Sequence, residues 1–336
     1  MVTIAIPNDY NTPFRDLPWI PKVAATIGTF DGIHFGHRFL LDQLKKMAKE
    51  KHLPTMVITF DVPPISVVRP GTPYQKLTTI GEKLLRLEAE GVDYTVVLPF
   101  TPELVAMTAD TFITTILHKR LHVKALLIGY DHRFGHGRIS GLEEYKQIAT
   151  PLGITVKKAS QAEIGGVPAS SSAIRQALID NNLALANQLL GYDYILTGKV
   201  EHGFRIGREL GFPTANLTVS DSHKLIPCDG VYAVRAIVSG ELYNGMLYIG
   251  RRPTLNNGDQ RTIEVNLFEF DKTIYGSQIR VEFVSFIRED IKFDSLEALR
   301  QQIQADYGRI SALFRSEQSE YSEYSEYSEN KLLQIL

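Results

Sequence analysis

Between residues 21 and 158 short apolar runs alternate with stretches of helical period; the runs are VAATIG, TMVITF, YTVVLPF, ALLIGYD and ITVKKA. That rhythm predicts a mostly parallel sheet wrapped by helices. In the first helical stretch Leu40, Leu44, Met47 and Ala48 recur at i, i+4, i+7 and i+8, while Lys45, Lys46, Lys49 and Glu50 cover the opposite side. This helix is expected to begin at 35–37 and to pack on the sheet. After about residue 190 the period changes to two: GVYAVRAIVSG sets Tyr232, Val234, Ala236 and Val238 on one face, and ELYNGMLYIG, TIEVNLFEF and QIRVEFVSFI follow closely. Several strands at short spacing predict a small antiparallel barrel. Leu296, Leu299, Ile303 and Tyr307 then recur at helical spacing behind Ser295, an N-cap type, so a terminal helix is expected against the barrel. From Ser319 the repeat SEYSEYSEYSE fits neither period and is expected to be a solvated tail. The expected divisions are 1–187, 188–315 and 316–336.

The 336 residues suit two domains of about 150 residues each. With 44% apolar and 22% charged residues, collagen-like, wholly disordered and membrane-spanning classes fall away. A net charge of −2, from 36 Lys plus Arg against 38 Asp plus Glu, disfavours nucleic acid as a main partner. Removing the acidic tail leaves the rest mildly positive, which favours anionic ligands. The single cysteine, Cys228, cannot form an internal disulfide, and the start MVTIAIPNDYNTPF lacks signal-peptide features, so a cytoplasmic protein without membrane contact is expected. Neither GxxxxGK[ST] nor GxGxxG occurs.

The densest polar motif is GTFDGIHFGH at 28–37, placed where the first predicted strand gives way to the first helix. Ligands of open α/β sheets bind at such carboxyl ends of strands. His34 and His37, spaced i, i+3 at a helix start, can face one anion, with Gly28, Asp31, Gly32 and Gly36 forming a cradle around phosphates. On residues alone, a structural glycine turn or a zinc-binding pair stays open. Ser170, Ser171, Ser172 and Arg175 supply hydroxyls and a guanidinium fork suited to phosphates, or simply a helix start. In the second half, GKVEHGFRIGRELGFPTANL at 198–217 carries Gly203, Gly207 and Gly211, suited to a loop whose amides wrap phosphates or to structural turns. Within TIEVNL, Glu264 and Asn266 point to one face and Ile263, Val265 and Leu267 to the other.

The string HFGH matches the HxGH signature of nucleotidyltransferases, and 28–37 as a whole resembles the FAD synthetase module of bacterial bifunctional riboflavin kinase/FMN adenylyltransferases. Three blocks follow in the family's order: LTTIGEKLLRLEAEGVDYTVVLPF at 77–100, GYDHRFGHGRISG at 129–141 and SSSAIR at 170–175. PTAN at 213–216, then GVYAV, YNGMLYIGRRPT, TIEVNLFEF, YGSQIRVEF and FIREDIKFDS, resemble the riboflavin kinase fold, so the resemblance runs from residue 21 to about 307. It implies a Rossmann-like α/β nucleotidyltransferase domain of HxGH type and a β-rich riboflavin kinase barrel with a terminal helix. It also implies small-molecule substrates: riboflavin is phosphorylated by ATP, and the FMN formed is adenylylated by a second ATP. Carried over by position, His34 and His37 serve adenylyltransfer and the 170–175 string holds phosphates. Asp131, Arg133 and Phe134 hold flavin; Thr214 and Asn216 hold Mg²⁺, with Asn216 also on the ATP phosphates; and Glu264 is the base for the ribityl hydroxyl. Two departures stand out: His132 occupies a family phenylalanine position, and Pro63 in TFDVPP a family histidine position. Rival readings are a kinase with a decayed adenylyltransferase half, an HxGH enzyme for another phosphate, and a flavin-binding regulator without turnover.

Overall fold

The computed structural model describes residues 1–6, 19–130, 141–161, 163–164, 167–202, 207, 210–251 and 261–333. They form two compact units: Met1–Arg175 with Gln188–Gly191 and His223–Leu225, and Gln176–Asn187 with Tyr192–Ser222 and Ile226–Leu336.

The first unit holds a six-stranded parallel sheet built from β1 (Val2–Ala5), β2 (Val23–Ile27), β3 (Thr55–Phe60), β4 (Tyr94–Leu98), β5 (Val123–Ile128) and β6 (Thr155–Lys158), in the order β1-β4-β3-β2-β5-β6. Both faces are covered, so the central strands are apolar throughout: β2 and β3 are buried at every position. On one face α1 (Phe35–Glu50) packs Leu41, Leu44 and Met47 against Ala24, Val57 and Ala125. The opposite face meets Phe112, Ile116, Leu117 and Tyr145. Leu41 takes the buried place expected of Leu40, which is only partly covered; the stripe therefore runs i, i+3, i+6, i+7 from Leu41. β3 and β5 flank β2, so the winding reverses there and opens a crevice at the carboxyl ends of these strands.

A two-stranded ladder, β7 (Glu163–Ile164) and β8 (Val167–Pro168), follows in the first unit. The second unit is a closed barrel in the order β10-β13-β12-β11-β14-β9, made of β9 (Tyr194–Glu201), β10 (Ala215–Thr218), β11 (Gly230–Val238), β12 (Glu241–Arg251), β13 (Arg261–Leu267) and β14 (Gln278–Arg288). Its interior stacks Tyr232 edge-on against Phe283, ring centroids 5.1 Å apart. Val231 and Ala233, on the alternate face of β11, are buried as well, because Ile310 and Phe314 of the terminal helix cover them. Ser295 caps that helix by accepting from Ala298 N at 3.1 Å. The helix extends from Leu296 to Leu333, so the Ser-Glu-Tyr repeat is helical in backbone although its three-residue period matches no helix. Glutamate is a good helix former, which suits this backbone.

Candidate functional site

The loop leaving β2 is strained. Phe30 and Ile33 hold positive φ of 48° and 42°, and Ile33 is β-branched, for which this region is rare. Gly32 sits at φ 86°, where a Cβ would come within 2.9 Å of Leu77 Cδ1. This path delivers His34 to the N-cap of α1 without a side-chain cap, leaving the first-turn amides open to an anion. His34 is 6% exposed, and its ring stacks on His37 with centroids 3.8 Å apart. Burial, together with His34 and Lys83 nearby, holds His37 well below the usual histidine range, so the ring is neutral at pH 7.

The 170–175 string meets this loop from 140 residues away. Ser171 Oγ donates to Asp31 O at 2.9 Å, and Arg175 Nη2 lies 3.0 Å from Asp31 Oδ2. Asp31 also accepts from Leu77 N and Thr78 N, so its carboxylate organises the loop and aims the guanidinium; its oxygens are committed to protein donors. Ser170 caps the helix Ser171–Ile179 through Ala173 N, whereas Ser172 is exposed. Beside them opens a cavity of about 710 Å³ bordered by Thr29, Asp31, Asp61, Lys76, Lys83 and Arg175. Gly28, His34, Gly36, His37 and the serines do not border it. Pro63 does, and it caps the helix Pro64–Val68 without offering an ionisable group. Lys83 is the group that sequence reasoning missed: it lies inside the 77–100 block, where a lysine on a helix reads as a solvated residue.

In the barrel unit Glu264 pairs across the ladder with Tyr248 of β12 and Asn216 of β10, so the three side chains share one face. Glu264 is 6% exposed; Thr214 Oγ1 donates to its Oε2 at 3.3 Å. Asn266 Nδ2 donates to Pro213 O at 2.7 Å, fixing the PTAN turn. A cavity of about 820 Å³ is bordered by Gly207, Thr214, Met246, Tyr248, Glu264 and Asn266, among others. A Cβ at Gly207 would lie 2.4 Å from Phe212 O, so only glycine permits this approach. Gly211 takes φ 88° in the following turn. Burial and the Asp290 carboxylate push the Tyr248 phenol up, so it stays protonated and able to donate. Across the same cavity the Arg288 guanidinium forks onto Asp306 at 2.9 Å and ties β14 to the terminal helix. Tyr248, Arg288 and Asp306 were not among the expected residues. Asp131, Arg133, Phe134 and Gly203, with His132, lie outside the described residues.

A family model for FAD synthetase matches residues 19–173, and one for riboflavin kinase matches 190–314. The chain is 38% identical over 295 residues to a bifunctional riboflavin kinase/FMN adenylyltransferase of Haemophilus influenzae, spanning 87% of this chain and 94% of that one. The chain belongs to the bifunctional riboflavin kinase/FMN adenylyltransferase family. Its Escherichia coli strain K12 relative is 39% identical over 282 residues, covering 84% of this chain and 89% of the relative. A solved structure described as a macrolide-efflux protein from Streptococcus pneumoniae superposes with a TM-score of 0.80 at 32% identity, covering 92% of this chain and 98% of that chain. Among the described residues no helix is long and apolar enough to cross a membrane. The expected fold, an HxGH-type α/β unit and a kinase-type barrel with a terminal helix, agrees with these family matches.

Proposed function

We propose that the family's two activities are divided between the two units, phosphorylation in the barrel unit and adenylyltransfer in the α/β unit. The chain is a bifunctional transferase that converts riboflavin and ATP to FMN, then FMN and a second ATP to FAD and pyrophosphate. The observation that carries the division is Glu264, a carboxylate buried at 6% exposure on the wall of the barrel cavity with the PTAN hydroxyl beside it.

In the first reaction Glu264 takes the proton of the ribityl 5′-hydroxyl as its oxygen bonds to the γ-phosphorus and the bond to ADP breaks. Thr214 and Asn216 offer hard oxygens on the same side as Glu264, a donor set that suits Mg²⁺. The metal, when bound, would neutralise phosphate charge; Gly207 lets its loop close against Phe212 O and Thr214 beside it. In the second reaction an FMN phosphate oxygen attacks the α-phosphorus of ATP and pyrophosphate departs, with no proton to transfer. Neutral His37 and its stacked partner His34 donate N–H groups to the α-phosphate oxygens, the open amides of α1 add to them, and Arg175, aimed by Asp31, receives the leaving pyrophosphate. Flavin is assigned to Asp131, Arg133 and Phe134 by the resemblance. The divisions 1–187, 188–315 and 316–336, a cytoplasmic setting and the absence of a nucleic-acid partner complete the reading.

Reciprocal variants test the division. Glu264→Gln should lower FMN formation by roughly 10²–10⁴-fold while FAD still forms from supplied FMN; His34→Ala should do the reverse. A variant that removes both activities without unfolding would contradict it.

A further inference from the structure

Lys83 stands where elementary electrostatics disfavours a cation. It lies in the first turn of the helix Ile80–Ala89, the positive end of the helix dipole, and is 8% exposed. Its Nζ donates to Thr59 Oγ1 at 3.1 Å and Phe60 O at 3.2 Å, both neutral acceptors. Among the described residues no carboxylate lies within ion-pair distance of it. Asp31 and Asp61 are near, but Asp31 is taken by Leu77 N, Thr78 N and Arg175, and Asp61 by Val62 N and Phe100 N. A buried ammonium without a counter-ion is costly unless an anion joins it. Lys83 borders the 710 Å³ cavity together with Arg175 and Lys76.

We propose that Lys83 is a further substrate-binding residue of adenylyltransfer, donating its remaining N–H to a phosphate oxygen of the ligand in this cavity. The proposal rests on assigning adenylyltransfer to this unit. The phosphate belongs either to the ATP chain or to FMN, and the two are separable by which KM responds. Burial, outweighing the pull of Asp31 and Asp61 and assisted by Lys76, brings the Lys83 ammonium down to about 8, and His37 beside it is neutral at pH 7. The ligand-free cavity therefore loses this charge as pH rises past about 8.

The test is steady-state FAD formation by the full chain and by Lys83→Met and Lys83→Arg, varying ATP and FMN in turn between pH 6.5 and 9.5, with circular dichroism and the thermal melt as the folding control. Lys83→Met should lower kcat/KM for FAD formation about ten- to hundredfold, with FMN formation within twofold of the parent. Lys83→Arg should restore part of the loss and remove the fall above pH 8. Unchanged kcat/KM for both substrates in Lys83→Met would overturn the proposal. If Lys83→Met fails the folding control, a Lys83→Arg profile that keeps the same fall above pH 8 would overturn it instead. Absence of FAD formation by the parent chain would overturn the functional reading beneath it.

Discussion

At the residue scale, chemistry here depends on which groups are denied water and which are given partners. His37 is a case with a solution signature. Its folded-state pKa lies below the ordinary value near 6.5, so its contribution to stability is complete above that pH and is lost as pH falls through the lower folded value. The melting temperature should therefore drop between pH 7 and pH 5, and less so in His37→Gln; equal slopes for the two proteins would contradict this. His34, His37, Arg175, Thr214 and Glu264 were legible because their types and order match family motifs. Lys83 was not, since its meaning comes from burial, and one lysine in IGEKLLRL looks like any solvated helix residue. Asp31 was legible as a site member, yet its work in holding Leu77, Thr78 and Arg175 appears only once the chain is folded.

At the element scale, the period of apolar residues located five of the six strands of the parallel sheet, the barrel and the start of α1. β1 escaped because Val2–Ala5 is short and joins the sheet edge 92 residues away, at β4, through long-range pairing that no local pattern encodes. The terminal helix was legible where Leu299, Ile303 and Tyr307 keep helical spacing; Ile310 and Phe314, which it buries on the barrel, and its run through the Ser-Glu-Tyr repeat were not read. The helix Ile80–Ala89 shows how distant chain secures an element. Thr79 and Glu82 form a reciprocal capping box, and the Glu82 carboxylate is also bound by Lys224 Nζ at 2.8 Å, the side chains 1% and 0% exposed. The same ammonium donates to Leu77 O, on the segment that anchors Asp31. Lys224→Met should cost about 3–5 kcal/mol, because it strands a buried carboxylate. Pairing it with Glu82→Gln, which keeps the cap, should recover part of that loss in a thermal melt; a single variant as stable as the parent would refute the account.

At the scale of the whole molecule, two cores each support one cavity, and both activities reside in one chain. The α/β unit draws on His223–Leu225, far from the rest of its sequence, so a fragment ending at 187 omits Lys224 and the partner it gives to Glu82. The central claim is that both sites work in series. Its most direct test is one time course of the purified chain with riboflavin, ATP and Mg²⁺, the flavins separated by chromatography. FMN should rise first and FAD should follow at its expense. FMN that accumulates with no FAD, even when FMN is supplied directly, would contradict the adenylyltransfer assignment and point to Pro63 or His132.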